Sequence, residues 1–395
     1  MRESKETRRW TPPREITVAD RFDVVVVGGG IAGISAAIAA SRCGARVCLV
    51  EREYMAGGLA TLGLVWCYLP LCDGMGNQVV SGIPEELMKL SIRHGTGSVP
   101  ECWMDNGDAS MRKRIRYETE FNPATFAINL DGVLVENCVD IRYGSMLCDV
   151  IKSGTRIDAV VLMEKAGFVA LEADAVIDAT GDATICHILG EDMETQSDNR
   201  LAYWQIYADG KVVDREESQV ALFGELPAYE RVYSGIETQD VSAFCIEGRQ
   251  RINLRNEKAT GRIPILISGI PQFRMTRRLI GRSTLMLSDH GRWFDDCVGM
   301  IADWRCKGKV YSIPYGMLLP KETNTLWVAG RCVSAESRAG DVIRSIPACS
   351  VFGQAAGTAA AMAVKQNLDS GGVCINALQW RLRQDHVILD KALLQ

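Results

Sequence analysis

Residues 22–53 read FDVVVVGGGIAGISAAIAASRCGARVCLVERE. Val24 to Val27 form an unbroken β-branched run, the pattern of a strand buried on both faces of a parallel sheet. The turn Gly28-x-Gly30-x-x-Gly33 follows at once. Small residues then predict a helix from about Ile31 to Cys43, and a second strand over Arg46 to Val50 ends at Glu51. Each part has a physical task. Gly28 allows a tight turn, Gly30 lets the backbone approach a pyrophosphate at the positive end of a helix, and Gly33 lets helix and sheet pack closely. Glu51 lies 18 residues beyond Gly33, where a carboxylate can accept hydrogen bonds from a ribose.

Three later segments extend the pattern. Gly57-Gly58 follows the acid closely enough to return the chain beneath a long cofactor. Residues 175–182, AVIDATGD, read as another buried strand ending in a glycine turn, and residues 325–331, TLWVAGR, as a third. The latter leads into a small-residue helix that begins near Gly353 and runs to Met362. Between these segments, MLCDVI, IDAVVLM and FVALEA alternate apolar and polar residues, with Gly154 and Gly167 at the turns, which predicts a small β-meander. The glycine fingerprint alone does not separate NAD from FAD, but the three later segments favour FAD.

The chain resembles the glutathione-reductase-like flavoprotein superfamily, and within it the FAD-dependent oxidoreductases related to fumarate-reductase-type flavoproteins. The motifs that carry the resemblance are VVVVGGGIAG, ERE with GGLAT, VIDATGDA, LWVAGRCVSA and IPACSVFGQAAGTAAA, spread over residues 22–362. It implies an α/β fold: a Rossmann-like FAD-binding domain with a parallel sheet and β-meander, plus an inserted α+β substrate-side domain. It also implies an extended FAD, with its adenosine end at Glu51 and its isoalloxazine near Thr61, Arg331 and the start of the Gly353 helix. The FAD contacts expected on these motifs are Gly28, Gly30, Ile31, Ala32, Gly33, Glu51, Arg52, Gly58, Leu59, Thr61, Leu147, Thr180, Gly181, Asp182, Gly330, Arg331, Gly353, Gln354 and Ala355. Relatives often carry a His-Glu pair after the Gly-Arg-Cys segment; Ser337-Arg338 stands there in this chain.

Length and composition suit that organisation. The 395 residues exceed what one compact core usually holds. The expected layout is a tail over 1–19, a discontinuous FAD domain over 20–190 and 313–366, a substrate-side domain over 191–312, and a C-terminal helical segment over 367–395. The middle stretch is polar, rich in arginine and split by Pro227, Pro264 and Pro271. A formal charge of −5 gives no general attraction to nucleic acid or anionic membranes. The N-terminal stretch lacks the apolar core of a secretory signal, and no apolar run is long enough to span a bilayer. Fourteen cysteines without such a signal predict reduced thiols in the cytoplasm. None forms a Cys-x2-Cys pair, and none of His94, His187, His290 and His386 has metal spacing, so no metal site is expected.

The expected chemistry is hydride transfer between flavin N5 and a carbon centre of a small polar or anionic substrate. Arginine clamps such anions. The candidates are Arg274, Arg277 and Arg278 in FRMTRRLIGR, and Arg344 in DVIRSIP. Arg344, Arg278 and Tyr315 are taken as the catalytic set, with Tyr315 as a proton donor. Two other functions compete. Cys67 and Cys72, with four residues between them, could form the redox disulfide of a thiol oxidoreductase, but Cys67 lies nine residues past Gly58 and Pro70 falls inside the pair. A flavin subunit that only relays electrons is the other. No second Gly-x-Gly-x-x-Gly marks an NAD(P)H domain. The electron acceptor or donor and self-association into a homo-oligomer stay open.

Overall fold

The central strand of the main sheet is Thr17–Val27, whose Val24 to Val26 are completely buried. The computed structural model describes residues 15–196, 201–202, 204–209, 212–214, 233–258 and 262–395. Most of the expected N-terminal tail, and Pro227 of the middle domain, lie outside them. Val47–Glu51 and Gly167–Asp178 flank Thr17–Val27 in parallel, with Val24 opposite Val47 on one side and Ala175 on the other. Asp140–Tyr143 adds a parallel edge beyond Val47–Glu51. Arg156–Glu164 and Met146–Ser153 complete the expected antiparallel meander.

The fold class is the expected α/β arrangement with a parallel-dominated sheet. One detail differs from the sequence reading. FVALEA and AVID, expected as separate strands, are a single strand, Gly167–Asp178. Its first half pairs with Arg156–Glu164, and its last three residues pair with Leu326–Val328 along the same edge. A strand that serves two neighbours in succession has to be this long.

Two helices cover one face of the sheet. Ile31–Arg42 follows the glycine turn, and Ile346–Gln366 lies against it. Their contact is built from small residues. The hydroxyls of Ser35 and Ser350 hydrogen-bond at 2.7 Å. A Cβ at Gly353 would lie 2.1 Å from the Ala32 carbonyl oxygen, and one at Gly357 2.1 Å from that of Ala36. Backbones this close leave room for hydrogen only.

The middle of the chain mixes helix and short strands. Met193–Thr195 pairs with Arg277–Leu279, Leu201–Ala202 with Gln272–Phe273, and Gln205–Asp209 with Arg262–Ile267. Helix Thr238–Lys258 packs over a separate small core of Tyr233, Phe244, Ile252 and Phe273. From Leu279 onward the chain rejoins the main core. The hairpin Cys297–Ala302 with Val310–Pro314 belongs to that core, so the expected boundary at residue 312 runs through a packed element. Leu378 and Leu382 of helix Ile375–Gln384 are buried there too, which ties residues 367–395 to the same core.

Candidate active site

The carboxyl ends of Thr17–Val27, Val47–Glu51, Gly167–Asp178 and Leu326–Val328 open together onto a cleft of about 480 Å³. Ligands of open α/β sheets sit at such strand ends. The chain leaves the first strand through Gly28, whose φ of +109° favours glycine and whose Cβ, if present, would lie 2.4 Å from the Ala179 carbonyl oxygen. Gly33 packs directly on Gly28. Gly30 differs: a Cβ there would meet no protein atom within 4 Å, and the residue lines the cleft. The space beside its backbone is left for a ligand.

Glu51 is 8% exposed and lines the cleft. Its Oε2 accepts from the Gly29 amide at 2.6 Å and its Oε1 from the Glu53 amide at 2.8 Å. The carboxylate is therefore held rigidly, with remaining lone pairs for a ribose. Replacing it with Gln keeps the shape and removes the charge. A charge-assisted hydrogen bond contributes about 1.5–3 kcal/mol, so FAD affinity should fall by roughly one to two orders of magnitude in a fluorescence titration. Unchanged affinity would place the ribose elsewhere.

Arg52, Gly58, Leu59 and Leu147 also line the cleft, as do Ile31 and Ala32 at the helix start. Gly57 donates its amide to the Gly29 carbonyl at 2.8 Å, which closes the loop after Glu51 against the glycine turn. Thr61, by contrast, is buried and donates to the Ala56 carbonyl at 2.6 Å, shaping that loop from behind.

A charge pair in the cleft joins the loops that follow the two later strands. Arg331 Nη2 donates to Asp182 Oδ1 at 2.7 Å, and the Thr276 hydroxyl donates to the same oxygen at 2.6 Å. Burial works against ionising Asp182, but the Arg331 guanidinium and Thr276 outweigh it and hold the carboxyl below its usual range. Gly181 lies under this guanidinium: a Cβ there would be 2.6 Å from Nη1. Arg331 Nε is buried without a hydrogen-bond partner among the described residues. Such an orphan donor fits a site completed by a polar ligand. Thr180 and Gly330 complete this wall, and Thr180 donates to the fully buried Asp178 at 2.7 Å.

Arg344 lines the cleft. Its Nε and Nη2 both contact Asp341 Oδ1, at 2.9 and 2.8 Å, while Asp341 Oδ2 pairs with Arg305 at 3.2 Å. Asp341 was missed in the sequence, though its i,i+3 spacing to Arg344 was a usable signal. Arg277 also faces the cleft.

Other expected residues lie elsewhere. Arg278 is turned away: its side chain is 4% exposed and ion-pairs with Glu194. Successive residues of a strand face opposite sides, so of two adjacent arginines only one can reach the cleft. Arg274 is not among the cleft residues. Tyr315 donates to the Ser370 carbonyl at 2.8 Å and accepts from Trp327 Nε1 at 2.8 Å, and burial pushes its phenol upward. It is a buried brace and not a proton donor at the cleft. Tyr315→Phe strands two buried polar groups, so thermal unfolding should show a loss of about 1–3 kcal/mol, with the rate per bound flavin unchanged. A slower rate at full stability would restore its catalytic role.

The small-residue helix expected from Gly353 also departs from expectation. It starts at Ile346, with Ser345 as N-cap accepting from the Ala348 amide at 3.3 Å. Pro347 belongs to its first turn, where the missing N–H costs nothing. Gly353, Gln354 and Ala355 are therefore two turns inside, buried between helices; Gln354 Oε1 accepts from the Ile83 amide at 3.0 Å. Ile346 and Cys349 occupy the cleft instead, and burial pushes the Cys349 thiol up to about 12.

Cys67 and Cys72 are not joined by a disulfide and do not line the cleft. Cys72 is buried, with its sulfur accepting from the Tyr117 amide at 3.2 Å. The four histidines also lie off the cleft; His290 is exposed, edge-on to Tyr311. Among the described residues no group of three His, Cys, Asp or Glu side chains is placed to hold a metal, and no helix is long and apolar enough to cross a membrane.

The family profile described as FAD dependent oxidoreductase matches residues 23–261 and 270–382. A fumarate reductase (cytochrome) from Shewanella frigidimarina is 31% identical over 192 residues, covering 41% of this chain and 33% of that protein. A thioredoxin reductase from Ureaplasma parvum is 31% identical over 71 residues, covering 18% and 23%. The chain thus spans a third or less of the length of these curated relatives. Among solved structures, a geranylgeranyl bacteriochlorophyll reductase-like protein from Thermoplasma acidophilum superposes with a TM-score of 0.50 at 13% identity, over 92% of this chain and 84% of that one. A p-nitrophenol 4-monooxygenase from Pseudomonas putida does so with a TM-score of 0.50 at 14% identity, over 89% and 82%. At these identities the likeness concerns the fold.

Proposed function

From the chain's membership of the FAD-dependent oxidoreductase family, we propose that it is a dehydrogenase or reductase acting on a carbon centre of a small polar or anionic molecule. The observation that carries the proposal is the single continuous cleft that runs from Glu51, past Gly30 and Arg331, to Arg344. Its near end has the parts that hold a dinucleotide, and its far end has the cations that hold a substrate.

FAD supplies the hydride-accepting or hydride-donating centre, flavin N5. The protein's own residues do the rest. Glu51 holds the ribose, and the open face of Gly30 at the start of Ile31–Arg42 receives the pyrophosphate. Arg331, charged and fixed by Asp182, donates from its free Nε to the cofactor. Arg344 is oriented by Asp341, and Arg277 stands beside the same space; both bind and align the substrate. The N-terminal turn of Ile346–Gln366 directs its partial positive charge into the site. A cleft with walls on several sides suits a small molecule better than a flat relay surface does.

The test starts with colour. Acid precipitation of the purified protein should release a flavin that chromatographs as FAD. Recovery of FMN or NAD, or no chromophore after reconstitution, would remove the basis of the proposal. An anaerobic screen for compounds that bleach or restore the flavin then finds the substrate; a flavin that responds only to protein partners would favour electron relay.

A further inference from the structure

We propose that the outer face of helix Pro123–Glu136 docks a second copy of this chain, the two helices crossing antiparallel about a two-fold axis at Gly132.

Gly132 stands inside a helix, where glycine is weaker than alanine. The glycines of Ile346–Gln366 have a reason within the chain: a Cβ at Gly353 or Gly357 would lie 2.1 Å from a backbone oxygen. Gly132 has no such reason. It is exposed, and a Cβ there would meet no neighbouring segment within 4 Å. The residues around it are apolar. Ile128 is 73% exposed and Val135 67%, while Phe126, Leu130 and Leu134 on the opposite face are fully buried. A helix that is apolar all round is normally covered all round.

The charges beside this helix match a second copy. A groove of about 240 Å³ runs between Pro123–Glu136 and the end of Ile83–Ile92. Asn129 ties its two walls together, donating to the carbonyls of Leu90 and Arg93 at 3.0 and 2.7 Å. Arg93 is thereby fixed at the Ile128 end of the groove, and Glu136 lies at the other end. Both line the groove, and neither makes an ion pair among the described residues. Ile128 and Glu136 each lie four residues from Gly132, about 6 Å along the axis at 1.5 Å per residue. Cation and anion are therefore evenly spaced about the glycine. A copy turned through a two-fold axis at Gly132 sets its Glu136 against Arg93 and its Arg93 against Glu136. The same turn brings glycine to glycine where the helices cross, so that their backbones approach closely, and faces each Ile128 with Val135 of the other copy. Such self-complementarity is what an isologous interface requires. Asp131 is outside the groove and accepts from the Tyr143 hydroxyl at 2.5 Å, so it does not oppose the pairing.

The experiment is sedimentation equilibrium of the purified, flavin-loaded protein, which reads mass directly. The wild type should be a dimer at micromolar concentration. Gly132→Gln fills the crossing point and should raise the dimer Kd at least about thirtyfold, the scale of a central interface contact. Its FAD content should be unchanged, because the new side chain starts in open space. Ile128→Asp should weaken the dimer by a similar factor. Arg93→Glu and Glu136→Arg should each weaken it at least about tenfold, by setting like charges together at both ends of the interface. The protein carrying both exchanges should return to within about threefold of the wild type, because the pairing is reciprocal. A wild type that stays monomeric near millimolar concentration overturns the proposal and leaves the groove to another occupant. A dimer that survives Gly132→Gln and Ile128→Asp uses a different face and overturns it as well, and so does failure of the double exchange to restore association. These outcomes are independent of the substrate and of the chemistry proposed for the cleft.

Discussion

Arg344→Met should lower substrate-dependent flavin reduction at least about a hundredfold per bound flavin, roughly 2.7 kcal/mol of transition-state stabilisation, while FAD content persists. Methionine keeps the bulk and removes the charge. The wild-type side chain is fixed on one side by Asp341, which takes Nε and Nη2. Nη1 takes no part in that pair, and the residue lines the cleft next to the helix start at Ile346. Guanidinium and helix terminus together make a positive site that needs no reorganisation when charge develops. If Arg344 only ties its loop to Asp341 and Arg305, the variant will lose thermal stability or FAD and keep its rate per bound flavin. Stopped-flow reduction normalised to bound flavin separates the two outcomes.

Gly353→Val should destabilise the protein by about 3–5 kcal/mol, at the severe end for a single substitution. The helices Ile31–Arg42 and Ile346–Gln366 meet backbone to backbone, and even a Cβ at Gly353 would lie 2.1 Å from the Ala32 carbonyl oxygen. Neither helix can retreat cheaply, because the Ser35–Ser350 hydrogen bond and the Gly357 contact with Ala36 lie in the same seam. Overpacking usually costs about 1–3 kcal/mol; here the clash is with backbone, which raises it. Since Ile31–Arg42 also carries the glycine turn, FAD yield should fall with stability. A variant with unchanged thermal midpoint and flavin content would mean that the helices do not pack this closely.

The nucleotide half was readable because short-range rules govern it. β-branched valines, glycines at fixed offsets and an acid at the end of the next strand specify each other locally. The expected helix and second strand came within a residue of Ile31–Arg42 and Val47–Glu51. The substrate half depends on long-range placement. Arg277 and Arg278 are chemically equivalent in the sequence, and only pairing of Arg277–Leu279 with Met193–Thr195 decides which one faces the cleft. Glycines and alanines at 353–357 look like the ligand-facing start of a helix, but the same residues suit a close helix seam. Pro347 reads as the end of a loop when it is in fact the first turn of a helix. The cleft also draws Ile236 and Val241 together with Ile270, Pro271 and Phe273, on either side of a long helix in sequence, so no local pattern announces them.

The long strand Gly167–Asp178 has a consequence for how the protein is made. Its last three residues wait for Leu326–Val328, whose first residue follows Val176 by 150 positions (326 − 176). At about 5–20 residues per second of synthesis, that interval is about 8–30 s. Throughout it the nascent chain bears an open apolar strand edge, the kind of edge that recruits other chains. Gly330, Arg331 and Arg344 emerge later still, so the far wall of the cleft is not in place until the edge can be filled. The far end of the cleft is thus completed last, and the segment between must fold, or be shielded, before it forms.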